Sequence, residues 1–168
     1  METTLTDLLK DESCQKSLVE LNSRFSMSCH AWDILGRPII PTVWGNTLCK
    51  LIKSTEAGLL TCAVTHKEMT KQAKATGKPV IRLCHAGMLK AVVPLYCGTK
   101  YMGLAGGCGC TPLGKSIDES YLRELGPKIG IEVEKLIEHA ASVNDSDIEK
   151  FSEGVFDVMK NCNCGKQD

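Results

Sequence analysis

Apolar residues recur first with a helical and then with a strand-like period, and each change of period marks an element. Leu8 and Leu9, followed by Leu18, Leu21 and Phe25, advance in helical steps. Met27 to Ile34 reads as a strand ending at the turn combination Gly36-Arg37-Pro38, with a second short strand at Ile39-Ile40. Trp44 to Ile52 reads as a short apolar helix that carries Cys49. Ser54 and Thr55 are good N-cap residues for a longer helix, in which Leu59, Cys62, His66, Met69 and Ala73 form one inward stripe. Gly77, just before Lys78-Pro79, is its stop signal.

Val80 to Cys84 and Met88 to Cys97 read as two strands on either side of a Cys84-His85-Ala86-Gly87 turn, with Pro94 marking an edge or a bulge in the second. Gly98-Thr99 has glycine where a type II′ hairpin wants it and leads into a strand over Lys100 to Gly106. Gly103, Gly106 and Gly107 let another backbone or a ligand come close. Helices are predicted over Ile117 to Leu125, Ile129 to His139 and Asp147 to Met159, separated by Gly126-Pro127 and by Ser142 to Asp145. Strands in the middle with helices around them make an α+β fold, an antiparallel sheet flanked by helices. The expected organisation is one domain over residues 1–160 and a cysteine-containing tail over 161–168.

Composition narrows the function. The 20 basic and 20 acidic residues balance, which leaves no electrostatic footprint for a nucleic-acid backbone, so direct nucleic-acid binding is not expected. No apolar run approaches the roughly 18 residues of a membrane helix, and the first residues lack the basic and apolar regions of a secretory signal. A cytoplasmic location is the expectation. Against that background ten cysteines in 168 residues are an excess that a chain of this length does not need for stability. No phosphate loop, Gly-x-Ser-x-Gly elbow, His-Glu-x-x-His helix or dinucleotide fingerprint is present, so nothing demands an enzyme.

Thiolate and imidazole are the ligands that zinc, iron–sulfur clusters and haem select. Cys49, Cys62, Cys84 and Cys108 can be named as one four-thiolate set, although their spacing matches no finger, ribbon or ferredoxin motif and convergence would have to come from the fold. Cys110, one residue beyond Cys108-Gly109, is a further ligand candidate. Free cysteine is also a small, often buried hydrophobe, and Cys62 sits on an apolar stripe where that reading competes. Cys14, Cys29 and Cys97 are read as structural. Cys162 and Cys164 form a terminal Cys-x-Cys pair, read either as a mobile thiol tail or as a pair that closes over a site. His66 and His85 are candidate pocket residues, with His85 placed to orient Cys84, face the pocket or ligate haem iron. Trp32, Trp44 and Tyr101 are candidate pocket walls. His30 and His139 are read as surface residues.

One block pattern adds a resemblance. Cys49-Lys50-Leu51-Ile52, Thr61-Cys62, the run Lys78-Pro79-Val80-Ile81-Arg82-Leu83-Cys84-His85-Ala86-Gly87-Met88, Val93-Pro94-Leu95 and Gly103-Leu104-Ala105-Gly106-Gly107 together resemble the PocR sensory domain family. The likeness runs from about Leu5 to Cys110, more weakly through the C-terminal helices. It implies a PAS- or GAF-like fold around a pocket that senses small molecules, simple hydrocarbon derivatives among them. It also implies a neighbouring output module, for which this sequence has no room. Cys108 stands where the family commonly has glutamine and His66 where it favours aspartate, and both departures add soft ligands.

The leading expectation is therefore a stand-alone sensory domain that holds a metal cofactor, an iron–sulfur cluster in first place and haem or zinc as alternatives, and signals to a partner protein. An iron–sulfur electron-transfer accessory protein and a metal-free module for a small organic molecule stay open. A homodimer through residues 1–25 or 128–160 is a further expectation.

Overall fold

The computed structural model describes residues 3–162. Its element order is α1 (Leu5–Leu8), α2 (Glu12–Arg24), β1 (Ser28–Trp32), α3 (Thr47–Ile52), α4 (Glu56–Thr76), β2 (Val80–Leu83), β3 (Leu89–Cys97), β4 (Lys100–Pro112), α5 (Glu119–Ile129), α6 (Val133–Ala140), β5 (Asp145–Ser146) and α7 (Phe151–Asn161). The fold is α+β. The main strands lie antiparallel in the order β1-β4-β3-β2, and the two-residue β5 pairs in parallel with the end of β4. Among the described residues no helix is long and apolar enough to cross a membrane.

Helices cover both faces of the sheet. On one face α2 and α7 pack over β1 and β3, with Leu18, Leu21, Ala91, Val93, Phe151 and Val155 in the buried core between them. On the other, Met69 and Ala73 of α4 pack on Val80, Val92 and Leu104. A third cluster joins α3, α5 and α6 around Leu48, Ile52, Leu122 and Leu136, and it contains Cys49, Cys84 and Cys108.

The hairpin forms as predicted, with Gly98 at φ +60° in the position that requires it. β4 does not stop at Gly106. It runs on to Pro112 between β1 and β3, and glycine is what the tight space needs: a Cβ on Gly106 would lie 2.2 Å from the Ala91 carbonyl oxygen. Pro94 sits in an interior strand, but β2 ends its pairing at Val80 opposite Val92, so at Pro94 no strand on that side needs the missing N–H. Two helical expectations also change. Leu59, expected on the inward stripe of α4, is 52% exposed, because the helix touches the sheet through its C-terminal half. Pro127 lies inside α5, which ends only at Gly130 in the left-handed conformation.

The last helix does not release a free thiol at once. Cys162, expected in the tail, forms a disulfide with Cys14 of α2, closing α7 onto α2 across a sequence separation of 148. Cys164 lies outside the described residues.

Candidate functional site

Four elements bring Cys49, Cys62, Cys84 and Cys108 to one small cavity under α4, which is also lined by His85, Met88, Lys53 and Lys90. Each arrives by a local rule. Asn46 caps α3, its Oδ1 accepting from the Cys49 N–H at 2.7 Å while its Nδ2 donates to the Gly109 carbonyl at 2.7 Å. One buried side chain thus fixes both the start of α3 and the β4 backbone beside Cys108.

Cys84 opens the turn between β2 and β3, which is closed by hydrogen bonds from the Cys84 N–H to the Met88 carbonyl and from the Gly87 N–H to the Cys84 carbonyl. The Ala86 N–H points at the Cys84 sulfur at 3.4 Å. His85 is gripped from α4 on both ring nitrogens, with Nε2 3.6 Å from the Cys62 sulfur and Nδ1 3.2 Å from Thr65 Oγ1. That turn therefore docks on α4 through a thiol and a hydroxyl.

Cys108 and Cys110 are separated by a β-bulge. Lys90 pairs with Cys108 and Leu89 with Cys110, leaving Gly109 unpaired at φ +112°, a conformation that suits glycine. The extra residue turns Cys110 to the opposite sheet face, among Cys14, Ile148 and Phe151, so it does not join the four-thiol cavity.

The electrostatics single out one sulfur. The Cys49 thiol, donating to Cys108, holds Cys108 well below the ordinary cysteine range, assisted by Lys90 and His30. Cys49 is correspondingly pushed up, first by that same contact and then by burial. Burial raises Cys84, and raises Cys62 to about 11. His85 is lowered to about 4 by burial, with Lys90 adding to the shift. The cavity thus sets one thiol shifted toward the anion against three shifted toward the neutral form, beside an imidazole lowered by burial and a lysine that is 6% exposed.

The other expected residues lie around this centre. His66 stacks on Trp32 with centroids 3.9 Å apart, and Trp32 stacks on His30 at 5.2 Å. Trp44 faces a second cavity next to the first. Tyr101 belongs elsewhere: it packs on Tyr96, lies under Lys74 and lines a cleft beside Thr4 and Asp7.

His30, expected at the surface, is instead 7% exposed and stands 3.4 Å from the Cys108 sulfur. The period of two in β1 carried the signal, since His30 and Trp32 must share a face. Lys90, Lys53 and Asn46 were not singled out by any motif.

A family model described as the sensory domain found in PocR matches residues 7–161. The chain belongs to the PocR sensory domain family. The role this description carries is ligand sensing, and the turn containing Cys84 and His85, which carried the resemblance, forms one wall of the cysteine cavity in this PocR domain. No curated protein and no solved structure matches the chain.

Proposed function

We propose that this PocR domain senses through the four-thiol cavity, that the cavity takes a thiolate-bound metal centre, and that occupancy is read by a signalling partner protein. The observation that supports this most is convergence: Cys49, Cys62, Cys84 and Cys108 come from four separate elements and line one space. Four sulfurs are the usual donor set of an iron–sulfur cluster or a structural zinc ion. The space itself is about 20 Å³ as measured by the positions open to the centre of a water-sized sphere, room for about one water molecule. That size favours a compact centre over a porphyrin.

The donors fit in kind, but they have to close in. Among the described residues no three His, Cys, Asp or Glu side chains already stand where one ion could be held. A bound centre supplies a state that changes with redox potential or metal supply. The chain's own residues turn that into a structural change: Asn46 ties α3 to the β4 bulge, and His85 ties the β2–β3 turn to α4, so drawing the sulfurs together moves four elements. Such a shift reaches a partner only where the loaded and empty forms differ in affinity for it. Thiols in this number work best in a reducing compartment, and the location we propose is the cytoplasm.

Purification without oxygen, followed by an absorption spectrum with iron, sulfide and zinc analysis, tests the reading. Broad absorbance near 400 nm with iron and sulfide, lost in Cys84→Ala, or stoichiometric zinc in a colourless protein, supports it; metal-free protein that takes up neither overturns it. The open donor positions favour one second reading, a metal-free module for a small organic molecule, which would sit in a larger space than the thiol cavity. A carrier of electrons, by contrast, would cycle reversibly without any ligand.

A further inference from the structure

Lys53 lines two cavities. One is the cysteine cavity; the other, of about 380 Å³, lies between β1, the segment leading to α3, and the first turn of α4. The second is large enough for a small organic molecule, whereas the first is not. Its walls are aromatic and aliphatic: Trp32, Trp44, Ile40 and Leu59 all face it. Trp44 is 38% and Leu59 52% exposed, so apolar surface is left open there for an occupant to cover.

Its charge is one-sided. No Asp or Glu lines it, and Lys53 is its one ammonium group among the described residues. That ammonium sits 5.4 Å from the centre of the Trp44 ring and has no carboxylate partner among the described residues. A cation beside an indole face, with no carboxylate partner among the described residues, recognises a ligand that combines a flat apolar body with one negative charge.

We propose that this second cavity binds a small aromatic carboxylate, the ring against Trp44, Ile40 and Leu59 and the carboxylate on Lys53. The inference rests on the sensory reading of the family and not on the metal reading, because Trp44 and Lys53 belong to the chain whatever the sulfurs hold. It also gives the sensor an input next to its sulfur site: Lys53 is common to both cavities, and His30, which lines the second, touches Cys108 of the first.

Both tryptophans of the chain line this cavity, so intrinsic fluorescence reports on it directly. Benzoate is titrated into the full chain, reduced and stripped of metal, with benzamide and acetate as partners that lack the charge or the ring. Saturable benzoate binding at least tenfold tighter than either, weakened tenfold or more by Lys53→Gln and by Trp44→Ala, is the expected result. Absence of benzoate binding, equal binding of benzamide, or an unchanged Lys53→Gln variant overturns the proposal. Trp44 and Lys53 are both partly exposed, and an unchanged melting temperature checks that each variant is folded. Metal analysis of the protein as purified is read separately, so failure of the carboxylate site and failure of the metal centre are told apart.

Discussion

The sulfur of Cys108 lies 3.4 Å from Nε2 of His30, two residues 78 positions apart that meet because β1 and β4 are paired in the sheet. Neither would serve alone as a marker of function. Together, with the Cys49 thiol and Lys90 beside them, they lower the pKa of one sulfur inside a packed core.

His30 should therefore support whatever Cys108 binds without binding it directly. Replacing the ring by an apolar group of similar size, His30→Leu, is expected to weaken thiolate-bound Co(II) or Zn(II) about 10- to 100-fold, the usual effect of losing a group that orients a ligand. Cys108→Ala should abolish the same binding. Visible and near-ultraviolet sulfur-to-cobalt bands on titration measure both.

Asn46 does two jobs with one amide. Asn46→Ala removes the α3 cap and leaves the Gly109 carbonyl without its donor, for an expected loss of about 2–4 kcal/mol in urea unfolding. Asn46→Asp keeps an oxygen for the Cys49 N–H but brings a carboxylate to the Gly109 carbonyl, so it should not rescue stability.

The Cys14–Cys162 bond closes a loop long enough that its contribution to unfolding is about 5 kcal/mol in the chain-entropy picture. Cys14→Ala, or reductant added to the native protein, should lower the urea midpoint markedly. If the two agree, the effect is the bond's; if reductant does nothing, the cysteines are already reduced in the purified protein.

His66 gives the fold an acid limit. Burial, with Lys90 and His30 adding to it, lowers this ring from 6.5 to about 3. The folded state keeps it neutral while the unfolded chain protonates it, so the unfolded state binds the extra proton. Stability is full above pH 6.5 and falls as pH drops from there toward 3, by about 2 kcal/mol at pH 5. His66→Phe, which keeps a ring on Trp32, should flatten that slope between pH 6.5 and 5 in denaturant titrations.

The sheet interior leaves no room at Gly106. Gly106→Ala would push a methyl group into the Ala91 carbonyl across the β3–β4 pair, a contact with β3 backbone that has no flexible side chain to give way. The variant should be destabilised by more than about 2 kcal/mol or fail to accumulate in soluble form.

The elements were largely legible because their signals are local. Apolar period, the Thr55 cap, the Gly77 stop and the Gly98 turn each act within a few residues. What was hidden depends on neighbours in space. β4 reads as ending at its glycines because glycine is a poor strand former alone; only a strand on each side makes those positions necessary. The meeting of four cysteines was suggested by residue type and by the family resemblance, and the fold brings Cys49, Cys62, Cys84 and Cys108 together. Lys90 and Asn46 carried no motif, since what matters about them is that they are buried.

Gly109 resets the phase of β4. Before it, Leu104 and Cys108 lie on the α4 side of the sheet and Ala105 and Gly107 on the α2 side; after it, the even-numbered Cys110 lies on the α2 and α7 side. A Cys-x-Cys sequence that looks like a two-toothed clasp is in fact two separate addresses, one cysteine delivered to each side of the sheet. The sulfur chemistry of the cavity is thereby kept apart from the Cys14–Cys162 bond by the full thickness of a β-sheet, and a thiol on one side cannot exchange with a disulfide on the other while the domain stays folded.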